Sequence, residues 1–167
     1  MTSDELRALQ RPIKERYEGD AEAAQVTLEA EGTLDEDVAC SVQTGRALVK
    51  AGLHPGTGGD GTMACSGDML LQALVACAGV TMRSVATSMG LNVAGSVHAE
   101  GDLDWRGTLA VDREAAVGFK DIRLRFELES EASDEELETL QRLTERYCVV
   151  FQTLAASPAL SVTLERE

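Results

Sequence analysis

The chain predicts an α+β domain with a mainly antiparallel sheet, and three patterns carry that prediction. Runs of period-two alternation, clearest in "FKDIRLRFELES" (119–130), mark strands. The stretch from Gly67 to Met89 is apolar on every face at helical spacing, which marks a long core helix. Strands come in groups separated by helices instead of alternating strictly with them, which argues against a doubly wound parallel sheet.

Residues 3–17 read as a helix that Ser3 caps, with Asp4 and Glu5 in its first turn. Pro12 is expected to kink or end it, because proline supplies no N–H for the helix ladder. "AAQVTLEAEG" (23–32) alternates and reads as a strand, and "DVACSVQTGRALVKAG" (37–52) as two strand runs broken at Thr44-Gly45. "LHPGTGGDGT" (53–62) is a glycine-rich loop without the Lys-Ser/Thr ending of a phosphate-binding loop, and its length suits a lid.

The central helix stops at Gly90, and "NVAGSVHAEGDLDW" (92–105) and 119–130 follow as strands. Ser133 with Glu136 three residues later is a capping box that opens an amphipathic helix through Tyr147. A second short helix runs from Cys148 towards Pro158, and "ALSVTLERE" closes the chain as a strand. The expected organisation is an N-terminal helical extension (1–19) on one domain (20–167). A helix apolar on all sides needs more cover than one small sheet offers, so a homodimer is the simplest source of the second face.

The chain has 167 residues, 44% of them hydrophobic but only 4% aromatic, so its core is aliphatic. Twenty-nine acids against 15 bases leave a net charge of −14, which argues against nucleic-acid and anionic-membrane partners. The charged N-terminus does not read as a signal peptide. The most apolar stretch, 69–82, holds Gln72 and ends at Arg83, short of a membrane span. A cytoplasmic location is the expectation, and in a reducing compartment cysteines serve as core, metal or redox residues more often than as structural disulfides.

The four cysteines stand at 40, 65, 77 and 148, with no CxxC and with His54 and His98 as the two histidines. This is not a metal-ligand spacing, and no metal is expected. Cys40 lies in an alternating strand and reads as core. Cys65 precedes the long helix, whose N-terminus favours a thiolate while nearby Asp68 opposes one. Cys77 sits mid-helix, where an isolated buried thiol is inert. Cys148 sits at a helix junction, a place from which a thiol can reach beneath another helix. Spacing alone does not pair it with anything.

"SGDMLLQALVACAGVTMRSVATSMGL" resembles the central-helix motif of the OsmC/Ohr family, in which an acid opens the helix and "ALxAC…T" carries a peroxide-reacting cysteine. "ERYCVVFQTL" is similar to that family's second motif, a cysteine followed by a short apolar helix. The resemblance covers roughly residues 20–166. It implies an OsmC-like fold: an antiparallel sheet wrapped around a long buried helix in an intertwined homodimer. Three departures stand out. "MACSG" replaces a Gly-Pro-Ser-Pro-like run, Asp68 replaces the usual glutamate, and Cys148-Val149 replaces Cys-Pro.

The resemblance implies a thiol-dependent peroxidase that reduces organic hydroperoxides. Cys77 would be the attacking thiolate and Cys148 the resolving thiol. Arg46, oriented by Asp68, would be the cation that stabilises the thiolate; read without the family, Arg46 is equally a solvated strand-end charge. Arg83, six residues beyond Cys77, is less well placed. No resident cofactor is implied, and an external dithiol such as a lipoyl group would reset the disulfide. Two other readings fit the same sequence. One is an OsmC-like dimer that binds a small apolar ligand without turnover. The other is an acyl-thioester hydrolase, whose fold also wraps a sheet round a helix and whose chemistry would use Asp or Glu.

Overall fold

The computed structural model describes residues 2–19, 32–34, 39–44 and 47–166. Its elements are α1 (Ser3–Gly19), β1 (Gly32–Leu34), β2 (Ala39–Thr44), β3 (Ala47–Gly52), a 3-10 turn (Pro55–Thr57), α2 (Ser66–Met89), β4 (Val93–Asp102), α3 (Trp105–Thr108), β5 (Asp121–Ser130), α4 (Asp134–Tyr147) and α5 (Val149–Ala155). All named strand pairs are antiparallel. β1, β2 and β3 form one sheet in that order, and β4 pairs with β5 over its full length from Val93↔Ser130 to Asp102↔Asp121. The α+β class read from the sequence is the one found.

The 24-residue α2 is the spine, with α1, β4, α4 and α5 packed against it. Its buried residues are Leu74, Ala78, Met82 and Ala86, a stripe at four-residue spacing. The lower end of that stripe joins Leu140 of α4 and Val93 of β4 in the core, with Phe126, Leu128 and Leu137 packed around them. Gly90 stops α2 at φ 73°, its N–H bonded to the Ala86 and Thr87 carbonyls. The Arg83 guanidinium donates to the Val93 carbonyl and ties the helix to the start of β4. Gly95 has φ 133°, and a Cβ there would lie 1.9 Å from the Glu127 carbonyl oxygen, so the ribbon's close approach excludes any other residue. On the other side of the ribbon Arg123 pairs with Glu100, Asp102 and Asp121.

Four expectations change in detail. Thr2, not Ser3, caps α1: its hydroxyl accepts from Glu5 N–H at 3.2 Å and its own N–H donates to Glu5 Oε2 at 2.8 Å. α1 continues through Pro12 to Gly19: the lost N–H costs one ladder bond, and the helix persists on both sides. α2 is covered along one stripe instead of being enclosed. The described elements reach only that side, and Val80 stays 72% exposed. Residues 156–166 form no strand, although Leu160, Val162 and Leu164 alternate as a strand should. They are 84%, 97% and 94% exposed, since alternation specifies a face but supplies no neighbouring strand to pair with. The strand read at 23–32 lies outside the described residues apart from Gly32.

The capping box forms as the sequence predicts. Ser133 N–H donates to Glu136 Oε2 at 2.8 Å, and Glu136 N–H returns to Ser133 Oγ at 3.4 Å. Leu140, fully buried where α4 crosses α2, carries the core. Leu140→Ala is expected to lower the unfolding free energy by about 2–5 kcal/mol in urea titration, by lost burial plus the cavity left behind.

Candidate functional site

Cys77 and Cys148 meet where α5 crosses α2. Cys148 is the single residue between α4 and α5, in extended conformation (φ −74°, ψ 109°). Its N–H donates to the Thr144 carbonyl and its carbonyl accepts from Gln152 N–H, both at 2.9 Å. The backbone at the corner is therefore fully bonded. The break leaves the first N–H groups of α5 without helical carbonyls to bond. Two of them, on Val149 and Val150, donate to Cys77 instead.

Burial pushes the Cys77 thiol up, as it must for a group whose charged form is being desolvated. Hydrogen bonds from Val150 N–H, the Cys148 thiol, Val149 N–H and the Thr81 hydroxyl outweigh that effect and leave Cys77 below an ordinary thiol. All four donors are uncharged. Cys148 moves the other way: burial raises it, and so do its hydrogen bond to Cys77 and the charge there. Exposure follows the same asymmetry. Cys77 is partly accessible, whereas Cys148 is 1% exposed. The arrangement thus holds one thiol ready as a nucleophile and a second, protonated, in contact with it.

An apolar groove of about 650 Å3 lies alongside, lined by Leu70 and Leu74 of α2, Ile122 and Leu124 of β5, and Phe151 and Leu154 of α5. Lys120 and Asp121 are its charged lining. Leu74 stands three residues before Cys77 and Phe151 three after Cys148, so the groove comes within about one helical turn of the pair.

The remaining candidates lie elsewhere. Arg46 falls outside the described residues. Asp68, in the first turn of α2, lines a separate cavity of about 280 Å3 with His54, Cys65, Asp102, Trp105 and Phe119. Nine residues of helix separate it from Cys77, on the order of 13 Å of rise. The glycine-rich loop belongs to that cavity too. His54 stacks on Trp105 at 4.9 Å, and its Nδ1 accepts from Gly56 N–H at 2.9 Å. The loop therefore does not stand over the cysteine pair as a lid would. No metal-ligating cluster occurs among the described residues.

Sequence reasoning gave no role to Thr81, although it is the threonine of the quoted "ALxAC…T" motif, and missed the N–H groups of Val149 and Val150. A signal for Thr81 was present: it stands four residues after Cys77, on the same helical face. The two N–H groups left no residue-type signal.

Residues 59–163 match the family model described as "OsmC-like protein". No curated protein matches the sequence. Among solved structures the chain is similar to an OsmC-like protein from Mycoplasma pneumoniae, with TM-score 0.68 and 16% identity over 80% of this chain and 90% of that one. A hypothetical protein from Aquifex aeolicus VF5 aligns with TM-score 0.61 and 16% identity, over 80% of this chain and 90% of that one. An OsmC-like protein of unknown function from Vibrio cholerae aligns with TM-score 0.59 and 13% identity, over 77% and 94%.

Only a thiolate alkylates, so a lowered thiol reacts at lower pH than a free one. In the native protein, iodoacetamide should label Cys77 with a half-maximal rate below the pH of an ordinary thiol. Cys148 should be labelled only after denaturation. Peptide-level mass spectrometry across a pH series reads both outcomes.

Proposed function

This chain belongs to the OsmC-like protein family, and from that premise we propose that it is a thiol-dependent peroxidase acting on organic hydroperoxides. The observation that carries the reading is the hydrogen-bonded pair of thiols with opposite shifts, the lowered one within reach and the raised one buried.

In the first step the Cys77 thiolate attacks the terminal oxygen of R–O–OH. The O–O bond breaks, Cys77 becomes a sulfenic acid, and the alkoxide takes a proton to leave as an alcohol. In the second step the Cys148 sulfur attacks the Cys77 sulfur; an S–S bond forms and water leaves, carrying the hydroxyl of the sulfenic acid and the Cys148 proton. An external dithiol, such as a lipoyl group, then reduces the disulfide by two exchanges and is itself oxidised to a cyclic disulfide. The apolar groove suits the alkyl portion of a hydroperoxide better than hydrogen peroxide. The uncharged donors already favour a Cys77 thiolate, so the proposed Arg46 cation, with Asp68 as its orienting partner, would strengthen a site that does not depend on it alone.

The same groove also supports the second reading, a small-ligand binder in which the thiols do not turn over. The cysteine variants separate the two. Cys77→Ser should abolish consumption of an alkyl hydroperoxide in the presence of a dithiol, because a serine hydroxyl is too weakly acidic to replace the thiolate. Cys148→Ser should react once and gain one oxygen by mass, whereas the unmodified chain should lose two hydrogens. Turnover by both variants at the unmodified rate sinks the peroxidase reading.

We further propose a cytoplasmic homodimer, with the second copy covering α2 and the C-terminal segment. The support is Val80, Leu160, Val162 and Leu164, exposed apolar side chains on a helix and on a strand-like run that one chain leaves bare. Sedimentation at micromolar concentration should give twice the chain mass. A stable folded monomer there overturns the dimer without touching the thiol chemistry.

A further inference from the structure

A helix continues through residues that tolerate it unless something else holds it broken. Residues 134–155 contain neither proline nor glycine, yet α4 ends at Tyr147 and α5 begins at Val149. In an unbroken helix the Glu145 carbonyl would accept from Val149 N–H. Here it accepts from the side-chain amide of Gln152 at 2.8 Å. The Glu145 carboxylate is engaged separately, by Gln141 Nε2 at 2.9 Å. Gln152 is exposed and anchored in α5 by its backbone, its N–H bonded to the Cys148 carbonyl at 2.9 Å. Its side chain thus reaches back seven residues, past Cys148, and occupies the acceptor that a continuous helix would need.

We infer that Gln152 is a positioning residue for Cys148: by capping the Glu145 carbonyl, its amide holds the helix broken at Cys148 and keeps that thiol in its buried place against α2. A proline after Cys148 would enforce the break by itself, and Val149 does not. The two redox states differ in how much they need the corner. A Cys77–Cys148 disulfide confines its two Cα atoms to a narrow range of separation and so demands it. The dithiol carries no such bond, and its helix is free to relax towards the continuous form. A contact that favours the corner therefore favours the disulfide. The inference rests on the reading of Cys148 as the resolving thiol, and its test uses no peroxide.

The test is the equilibrium of the full-length protein with mixtures of reduced and oxidised dithiothreitol at neutral pH. Acid trapping and mass spectrometry read the loss of two hydrogens, and peptide mapping places the bond at Cys77 and Cys148. As the protein S–S bond forms, the ring S–S bond of oxidised dithiothreitol breaks and takes up the two thiol hydrogens. Gln152→Leu removes the donor at an exposed position. It should shift the ratio of disulfide to dithiol about three- to tenfold towards the dithiol, the worth of one neutral hydrogen bond. Gln152→Glu keeps the shape without the donor and should do the same, whereas Gln152→Lys restores a donor and should return the ratio towards the unmodified value. Urea titration of both redox forms checks folding. Loss of a merely structural contact destabilises both forms equally and leaves the ratio alone; the inferred role destabilises the disulfide form more. An unchanged ratio in either folded donor-free variant overturns the inference. So does a Gln152→Lys protein that behaves as Gln152→Leu does, or an unmodified chain that forms no Cys77–Cys148 disulfide. Hydroperoxide consumption is measured separately on the same proteins. A chain that consumes none yet shows the ratio shift contradicts the peroxidase reading and leaves Gln152 in place. One that turns over normally with no shift does the reverse.

Discussion

The site depends on a helix that stops and restarts at one residue. Were α4 and α5 a single helix, Val149 N–H would bond the Glu145 carbonyl and have nothing to offer Cys77. The break at Cys148 frees it, and the Glu145 carbonyl is satisfied instead by the Gln152 side-chain amide at 2.8 Å. One extended residue thereby does three things. It ends α4, it aims consecutive N–H groups of α5 at α2, and it buries its own thiol between the helices. The family's proline after this cysteine would have enforced such a break. Here Val149 stands in that place and its N–H becomes a donor.

Two opposed effects meet at Cys77, and their balance sets its chemistry. Desolvation in an aliphatic pocket raises a thiol, which is why a lone mid-helix cysteine reads as inert. The site reverses that outcome with short-range neutral donors. Dipoles held by secondary structure need no reorganisation when charge appears, and they are stronger in a dry pocket than in water. Among the described residues the polar machinery is thus backbone, hydroxyl and thiol.

Much of this was legible in the sequence where the signal is local. The capping box at Ser133 and Glu136, the Gly90 stop, the two strand runs that become β2 and β3 and the apolar run of α2 are all written within a few residues of where they act. The two cysteines were found through motif resemblance, and the contact between helices 71 residues apart in the chain came only with the structure. What failed was whatever needed a partner from elsewhere. The 159–166 run has the right alternation but pairs with no described strand, and the described elements leave part of α2 uncovered. Pro12 misled in the opposite direction, since a local helix breaker was overridden by the helix on either side of it. Backbone donors at a helix start carry no residue-type signature, so the N–H groups at Val149 and Val150 could not be read in advance.

The unequal burial of the two sulfurs has a regiochemical consequence for the return half of the proposed cycle. A Cys77–Cys148 disulfide presents the Cys77 sulfur to an incoming thiolate and shields the other. Reduction must then proceed through a mixed disulfide on Cys77, expelling Cys148, the thiol with the higher pKa and the poorer leaving group. The electronically easier cleavage, which would expel Cys77, is closed by packing. A monothiol reductant would form that mixed disulfide and lose it again as Cys148, still in contact, returned. A vicinal dithiol carries its second thiol already in place and closes its own ring before Cys148 can re-attack. Selectivity for a dithiol is then set by which sulfur the fold hides.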